Sequence, residues 1–286
     1  MKTKLGICIA LFVASIATSV QAQSTYFLYD DFASKTIDPD RWVALENRPS
    51  GIQMLDSVRD IEKGTLHMLN YFYGDTSANT GYSSGANRVV FPDSSGMTGL
   101  IAKVQIQAYA LNGCPANNQP ADVRARIGGD WFNTGIPTLG SSEGNVTTTI
   151  YPRRRSNSTD GVDVFEVVAT VNRCNDPDCT TGTSLGSFGA NVLGTVKKGK
   201  WVTLRVEWDQ VNHRFIFQRD KQPEVYINYK QSANWDPAWD DTQPPLVAYG
   251  GYMRLEARGQ VPTCEPTEEP RPMVFIEAKF DDIYIK

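Results

Sequence analysis

Strict alternation of apolar and polar residues is the dominant pattern along this chain. Between Ala102 and Tyr109, Val104 and Ile106 share one side of an extended backbone, and Gln107 shares the other side with Tyr109. Successive side chains of a β-strand point to opposite faces of the sheet, so this period of two predicts a half-buried strand.

Short segments of this kind follow one another through most of the sequence, separated by clusters of Gly, Pro, Asn, Asp and Ser. No window of eleven or more residues shows a capped apolar stripe of helical period, and residues 234–241 would form one helical turn at most. Many short strands with turn signals between them predict an all-β fold, a two-sheet antiparallel β-sandwich, in one domain over residues 23–286. The further predicted strands are Thr65–Tyr73, Asp122–Ile127, Val162–Val171, Val202–Trp208, Arg214–Arg219, Glu224–Tyr229, Val247–Ala257 and Met273–Ile285.

The first 22 residues have the pattern of a secretory signal peptide. Lys2 and Lys4 precede an apolar run from Leu5 to Val20, and Ala22 ends a small-residue cleavage motif. Later segments do not approach the roughly 18 apolar residues of a membrane span. We therefore expect a secreted protein, periplasmic or extracellular, without membrane insertion. The net charge of −4 gives no general attraction to nucleic acid.

Four cysteines follow the predicted leader, and an even number in an exported chain favours two disulfides. Cys174 and Cys179 bracket a turn-rich insert that could bring their sulfur atoms together, which leaves Cys114 for Cys264. Four cysteines allow three pairings, so this one is favoured and not proven. Zinc is the competing use, but the chain has only two histidines and no second closely spaced cysteine pair.

The two ends of the mature chain carry similar aspartate-containing motifs. Tyr29-Asp30-Asp31-Phe32 opens the chain, Phe280-Asp281-Asp282-Ile283 closes it, and a hairpin-like pattern runs from Trp201 to Phe217. Together these segments resemble the concanavalin A-like lectins and glucanases, a superfamily of jelly rolls. The resemblance implies that the first and last strands lie side by side, and that two large antiparallel sheets stack with one concave face.

A structural calcium ion near the terminal strands is also implied by this resemblance. We expect Asp31 and Asp281 to be its ligands, because neighbouring carboxylates repel each other unless a cation neutralises them. In the alternative arrangement, one aspartate of each pair faces solvent and the other caps a turn.

A motif comparison argues against one kind of catalysis. Laminarinase-type glucanases of this superfamily carry Glu-x-Asp-x-x-Glu, in which the first glutamate is the nucleophile. Asp163 and Glu166 match the second and third acidic positions, but Gly161 stands at the nucleophile position. A two-step retaining mechanism needs both carboxylates, so the sequence leans away from an enzyme of this type.

A polar face is predicted where Gln107 and Tyr109 would adjoin Arg124 and Arg126, if their two strands are hairpin partners. Such a face could line a sugar groove. It also has the residue types of jelly-roll polysaccharide lyases, in which a Tyr or His base acts beside Arg and Gln that neutralise a uronate. The motifs of alginate lyases are not found in their usual form. Ordinary solvent exposure of a half-buried sheet is the alternative.

Tryptophans supply the remaining predicted ligand contacts. Trp131 and Trp235 are expected to stack on the C–H faces of sugar rings, with Trp239 beside Trp235. Packing within the protein is the alternative for this pair. Trp42, Trp201 and Trp208 are expected to pack in the core or against strands.

These features predict a secreted protein that binds a glycan or another extracellular surface component without catalysing a reaction. The alternatives are a carbohydrate-active enzyme, a polysaccharide lyase before a glycoside hydrolase, and a structural or adhesive cell-surface protein. Apart from calcium, no cofactor is expected. The predicted ligand-binding residues are Gln107, Tyr109, Arg124, Arg126, Trp131 and Trp235.

Overall fold

The structure, a computed structural model, describes residues 25–47, 53–136, 138, 140–245, 253–267 and 271–286. The predicted signal peptide lies outside the described residues and stays a prediction. In chain order the strands are β1 (Phe27–Asp30), β2 (Val43–Asn47), β3 (Gln53–Glu62), β4 (Thr65–Tyr73), β5 (Tyr82–Val90), β6 (Gly99–Asn112), β7 (Asp122–Asn133), β8 (Asn145–Arg155), β9 (Val164–Cys174), β10 (Gly182–Phe188), β11 (Thr195–Lys197), β12 (Val202–Asp209), β13 (Arg214–Arg219), β14 (Val225–Asn228), β15 (Met253–Pro262) and β16 (Met273–Ile285). A short helix, α1 (Ala190–Leu193), and a 3-10 turn (Tyr229–Gln231) complete the described elements.

Two antiparallel sheets contain all of these strands. The first sheet has the order β14-β13-β12-β6-β16-β4-β3, with β1 paired to the end of β16. The second sheet has the order β10-β9-β8-β7-β15-β5-β2, with β11 also paired to β9. The predicted all-β, two-sheet antiparallel sandwich is confirmed.

The core lies between the two sheets and consists of the apolar residues that alternate along each strand. Phe72, Val104 and Phe280 of the first sheet are fully buried, as are Ile127 and Leu255 of the second sheet. Because each strand buries every second side chain, the intervening residues lie on the two outer faces of the sandwich.

The chain ends meet in the first sheet, as the terminal motifs predict. Asp30 of β1 lies opposite Ile283 of β16 in an antiparallel ladder. The buried carboxylate of Asp30 accepts a hydrogen bond from the indole Nε1 of Trp42 at 2.6 Å, and Phe32 packs in the core beside that ring. The pairing of β1 with β16 brings the first and last strands together over the core.

Two disulfide bonds hold loops at the two ends of the sandwich. Cys114 is bonded to Cys264 across 150 residues of chain, and Cys174 is bonded to Cys179 across a short turn. This is the pairing that the sequence favours. In the described part of the chain, helices that could span a membrane are absent.

Local details complete the comparison with the sequence. Residues 234–241 form turns and no helical element, within the limit of one helical turn stated above. The side chain of Trp201 is not in the core, since 39% of this residue is exposed. The alternation of β6 breaks at Gln107, where Ile106 and Ala108 pair with the adjacent residues Ala278 and Glu277 of β16.

Removal of the two disulfides should have unequal effects, because the entropy of the unfolded chain depends on loop length. Replacing Cys114 and Cys264 together by Ser should lower the free energy of unfolding by about 5 kcal/mol. The corresponding change at Cys174 and Cys179 should cost about 2 kcal/mol. Urea unfolding of both double variants measures the difference, and equal losses would contradict this account.

Candidate functional site

The outer face of the second sheet carries an unusual number of arginines. Along β15, the apolar residues Leu255 and Ala257 point into the core, so Arg254, Glu256 and Arg258 point outward. Strand pairing places similar residues beside them, because Glu256 lies opposite Arg126 of β7 and Arg88 of β5.

This surface, called the arginine face below, extends from β5 across β15 and β7 to β8. Arg258 lies opposite Arg124, and Arg124 lies opposite Arg153 of β8, so one row across three strands presents three guanidinium groups. Its seven arginines are Arg88, Arg124, Arg126, Arg153, Arg155, Arg254 and Arg258, and its four carboxylates are Asp122, Asp130, Glu166 and Glu256. The side chains of Arg124 and Arg126 are each only 12% exposed, so these guanidinium groups lie in a recess of the surface.

Glu256 is the negative charge at the centre of the arginine face, and its side chain is fully buried. One carboxylate oxygen accepts hydrogen bonds from Arg126 at 2.7 Å and from Arg254 at 3.1 Å. The other oxygen lies 3.4 Å from Arg258. Burial alone would raise the pKa of Glu256, but the surrounding guanidinium charges hold that pKa well below its usual value.

The arginines remain under-neutralised by the carboxylates near them. The Nε atoms of Arg88, Arg126 and Arg258 are buried and have no hydrogen-bond partner among the described residues. Burial and the charge of Arg126 lower the pKa of Arg258 to about 10, and burial also lowers the pKa of Arg88 and Arg126. A buried cation without enough counter-charge is costly, so this recess is suited to an anion.

Other arginines of the face are paired. Arg124 donates from Nε to Asp122 at 2.8 Å and from Nη2 to Gln260 at 3.1 Å. Arg153 donates to Glu166 at 2.9 Å. These pairs border the central recess and hold its walls in place.

Tyr151 is the aromatic residue of the arginine face. It lies on β8 between the residues that pair with Arg124 and Ile127, and the guanidinium of Arg124 lies 5.5 Å from its ring centroid. The ring is almost completely buried, and the hydroxyl forms no hydrogen bond with any residue that the structure describes. A free phenol hydroxyl beside guanidinium groups can bind a ligand oxygen or transfer a proton.

The predicted joint face of Gln107, Tyr109, Arg124 and Arg126 does not form. Consecutive strands β6 and β7 lie in different sheets, so the glutamine and the tyrosine are separated from the two arginines by the sandwich. The bulge at Gln107 also turns Tyr109 inward, where its ring packs edge-on against Phe165 of the second sheet. Of this predicted set, only the two arginines belong to the arginine face.

The predicted aromatic contacts are also part of the interior. Trp131 is buried beside Phe215 with 4% of its surface exposed, because it continues the core-facing alternation of Ile127. The bulge between Asp130 and Phe132 then turns Phe132 inward as well. Trp235 is half-buried and packs against Tyr229 and Trp239. Trp235 and Trp239 therefore pack within the protein, which is the alternative stated for this pair.

The predicted calcium ligands lie near each other but are not assembled into a cage. Asp31 is exposed and accepts a hydrogen bond from the N–H of Ala33, and Asp282 forms an ion pair with Lys103. Burial and the neighbouring charges of Asp282 and Asp31 raise the pKa of Asp281. Among the described residues, no group of three or more His, Cys, Asp or Glu side chains could hold a metal ion. Calcium therefore stays a prediction.

The acidic residues of the glucanase-like segment serve as ion-pair partners. Asp163 is exposed and contacts Lys198 at 2.7 Å, whereas Glu166 belongs to the arginine face through Arg153. The two carboxylates therefore pair with different cations and do not face each other as an acid pair.

Sequence reasoning missed most of the arginine face. Arg254, Glu256 and Arg258 alternate with apolar residues, and this signal was present at the end of a predicted strand. Recognising a site would also have required the pairing of β15 with β5 and β7, which brings Arg88 and Arg126 beside them. That pairing joins segments more than a hundred residues apart.

Comparisons with known proteins show similarity of architecture at low sequence identity. No family model matches the chain, and no curated protein matches it. A solved structure named 1,3-alpha-1,4-beta-D-galactose-4-sulfate-3,6-anhydro-D-galactose 4 galactohydrolase matches with a TM-score of 0.44 and 9% identity, covering 96% of this chain and 98% of that one. The exoplasmic/lumenal domain of VIP36 matches with a TM-score of 0.37 and 10% identity, covering 91% and 90% of the two chains. The alginate lyase from Klebsiella pneumoniae matches with a TM-score of 0.35 and 9% identity, covering 80% and 83%.

Substitution of Glu256 should expose how much the arginine face depends on one carboxylate. Glu256→Gln leaves the guanidinium groups without their central counter-charge, so the free energy of unfolding at pH 7 should fall by about 3–5 kcal/mol. The pKa of Glu256 is depressed in the folded protein, so its contribution is fully present above about pH 4.5 and is lost only as the pH falls toward the depressed value.

Urea unfolding at pH 7 and at about pH 3 measures this effect, because the difference between Glu256→Gln and the unmodified protein should be smaller at the lower pH. Glu224→Gln is the matched control, because Glu224 is 48% exposed and pairs with one arginine on the other sheet. The control should change stability by less than about 1 kcal/mol. A loss at Glu256 no larger than that of the control would show that the carboxylate does not hold the face together.

Proposed function

We propose that this protein is a secreted, non-catalytic binder of an acidic glycan, and that the arginine face is its binding surface. The ligand is a polysaccharide with carboxylate or sulfate groups, which lie against the guanidinium groups of β5, β15 and β7. The observation that carries the proposal is the recess of under-neutralised arginines around Glu256.

The charge of the arginine face supports an anionic ligand. Seven arginines against four carboxylates make this surface positive, although the whole chain has a net charge of −4. Guanidinium groups bind carboxylate and sulfate-like oxygens through paired, charge-assisted hydrogen bonds. A local positive recess on a negatively charged protein attracts such ligands selectively, because the remaining surface repels them.

The surroundings of the recess support a sugar as the carrier of these charges. The ring of Tyr151 is buried, but its hydroxyl is free, and Thr149 and Thr170 of β8 and β9 add hydroxyl groups on the same outer face. A few polar groups placed beside charged groups orient a carbohydrate in its site. Two disulfides fit an oxidising compartment, in agreement with secretion.

Loss of single arginines from the recess should weaken glycan binding. Arg88→Gln and Arg258→Gln should each raise Kd for an acidic polysaccharide about tenfold or more, since a charge-assisted hydrogen bond contributes about 1.5–3 kcal/mol. Arg214→Gln is the control, because Arg214 lies on the first sheet in an ion pair with Asp209. Isothermal titration with a polyuronate and with a sulfated galactan measures Kd, and added salt should weaken both interactions.

A neutral polysaccharide that binds the recess as tightly as the acidic ones would contradict the proposal. So would an acidic ligand whose Kd changes equally in the recess variants and in Arg214→Gln.

A polysaccharide lyase is the second candidate, and the free hydroxyl of Tyr151 is the observation that favours it. In a β-elimination, the deprotonated hydroxyl of Tyr151 would take the C5 proton of a uronate whose carboxylate is neutralised by arginine. The C4–O glycosidic bond would break as the C4–C5 double bond forms, and the Tyr151 hydroxyl would return the proton to the leaving oxygen. Incubation with polyuronates should then produce absorbing unsaturated products, and Tyr151→Phe should abolish them while leaving binding within a few-fold. Binding without product formation supports the non-catalytic proposal. Neither binding nor product, together with pelleting on cells, would support an adhesive role.

A further inference from the structure

A cluster of surface aromatic residues lies on the outer face of the first sheet, on the opposite side of the molecule from the arginine face. Tyr71 and Tyr73 point outward from β4, because Phe72 between them is fully buried in the core. Phe275 of β16 lies directly opposite Tyr71 in the ladder, and its ring meets that of Tyr71 edge-on at 6.0 Å. These three half-buried rings on the outer face of the first sheet are called the aromatic patch below.

The neighbours of the aromatic patch leave it accessible. Ala110 of β6, opposite Phe275, is exposed and has only a methyl group. Asp56 of β3, opposite Tyr71, is also exposed. Short side chains on these two flanks leave Tyr71 and Phe275 open to a flat ligand, whereas Arg271 lies over one face of Tyr73.

Hydrogen-bonding groups lie within the patch itself. The hydroxyls of Tyr71 and Tyr73 are 3.2 Å apart, which uses one donor and leaves further donor and acceptor capacity for a ligand. Arg271 stacks over the ring of Tyr73 at 4.9 Å. A sugar combines apolar C–H faces with hydroxyl groups, and rings beside phenol hydroxyls match both features.

The charge of the aromatic patch differs from that of the arginine face. Its flanks hold one cation, Arg271, and two carboxylates, the exposed Asp56 and Glu277, which lies 3.3 Å from His67. The excess of positive charge on the arginine face is therefore not repeated here. An uncharged ligand fits this surface better than a polyanion, because electrostatic attraction would add little to stacking.

We propose that the aromatic patch is a second glycan-binding surface, and that its ligand is an uncharged polysaccharide. Sugar rings stack on Tyr71 and Phe275 and form hydrogen bonds with the tyrosine hydroxyls. This surface lies on the other sheet from the arginine face and operates independently of it.

Binding to immobilised neutral polysaccharides tests the proposal, with a β-glucan, a mannan and a galactan as the probes. The full chain should bind at least one of them, in 1 M NaCl as well as in low salt. Tyr71→Ala and Phe275→Ala should each raise Kd about tenfold, and Tyr71→Phe should cause a smaller loss by removing only the hydroxyl. Arg258→Gln should leave this Kd unchanged.

Tyr226→Ala is the matched control, because Tyr226 is a 57% exposed tyrosine on the edge strand β14 of the same sheet. The Kd of Tyr226→Ala for the neutral polysaccharide should equal that of the unmodified protein. Urea unfolding of each variant identifies losses caused by misfolding, and Tyr71→Phe gives a readout if Tyr71→Ala is unstable.

Three results would overturn the proposal. One is no binding to any of the three neutral probes, and another is an equal loss in Tyr71→Ala and Tyr226→Ala. The third is a dimer in light scattering that Tyr71→Ala dissociates, which would make the patch a contact between two copies of this chain.

Discussion

A single buried carboxylate, Glu256, is the constraint on which the candidate site depends. Arg126, Arg254 and Arg258 contact its two oxygens, and Arg88 lies opposite it in the ladder. Like charges this close would repel each other without a central anion. The register of β5, β15 and β7 places the carboxylate at the middle of the arginines, so backbone hydrogen bonding and electrostatics specify the same arrangement.

The sandwich gives the molecule two outer faces with different chemistry. The second sheet presents a positive recess, and the first sheet presents the aromatic patch without an excess of positive charge. Each face follows from the alternation of its strands, because the apolar residues between the exposed ones form the common core. Pairing of β1 with β16 and the long-range disulfide between Cys114 and Cys264 enclose that core. Within each strand, one set of alternate residues therefore packs in the core, and the other set determines the chemistry of the outer face.

Local patterns in the sequence predict the strands better than the site. Period-two alternation gives the limits of β4, β13 and β16 as the structure has them. The bulges at Gln107 and between Asp130 and Phe132 are not predicted by local alternation. One extra residue in a strand reverses the face of every residue beyond it. Tyr109 was therefore placed on the wrong side.

The site was incompletely predicted because it combines distant segments. Arg124 and Arg126 were identified from β7 alone, but Arg88 and Glu256 reach them only through pairings of β15 on both of its edges.

A crystal structure with a bound acidic oligosaccharide tests the central claim most directly. We expect its carboxylate or sulfate oxygens within hydrogen-bonding distance of Arg126 and Arg258. An oligosaccharide bound elsewhere, with these guanidinium groups facing only solvent, would contradict the account.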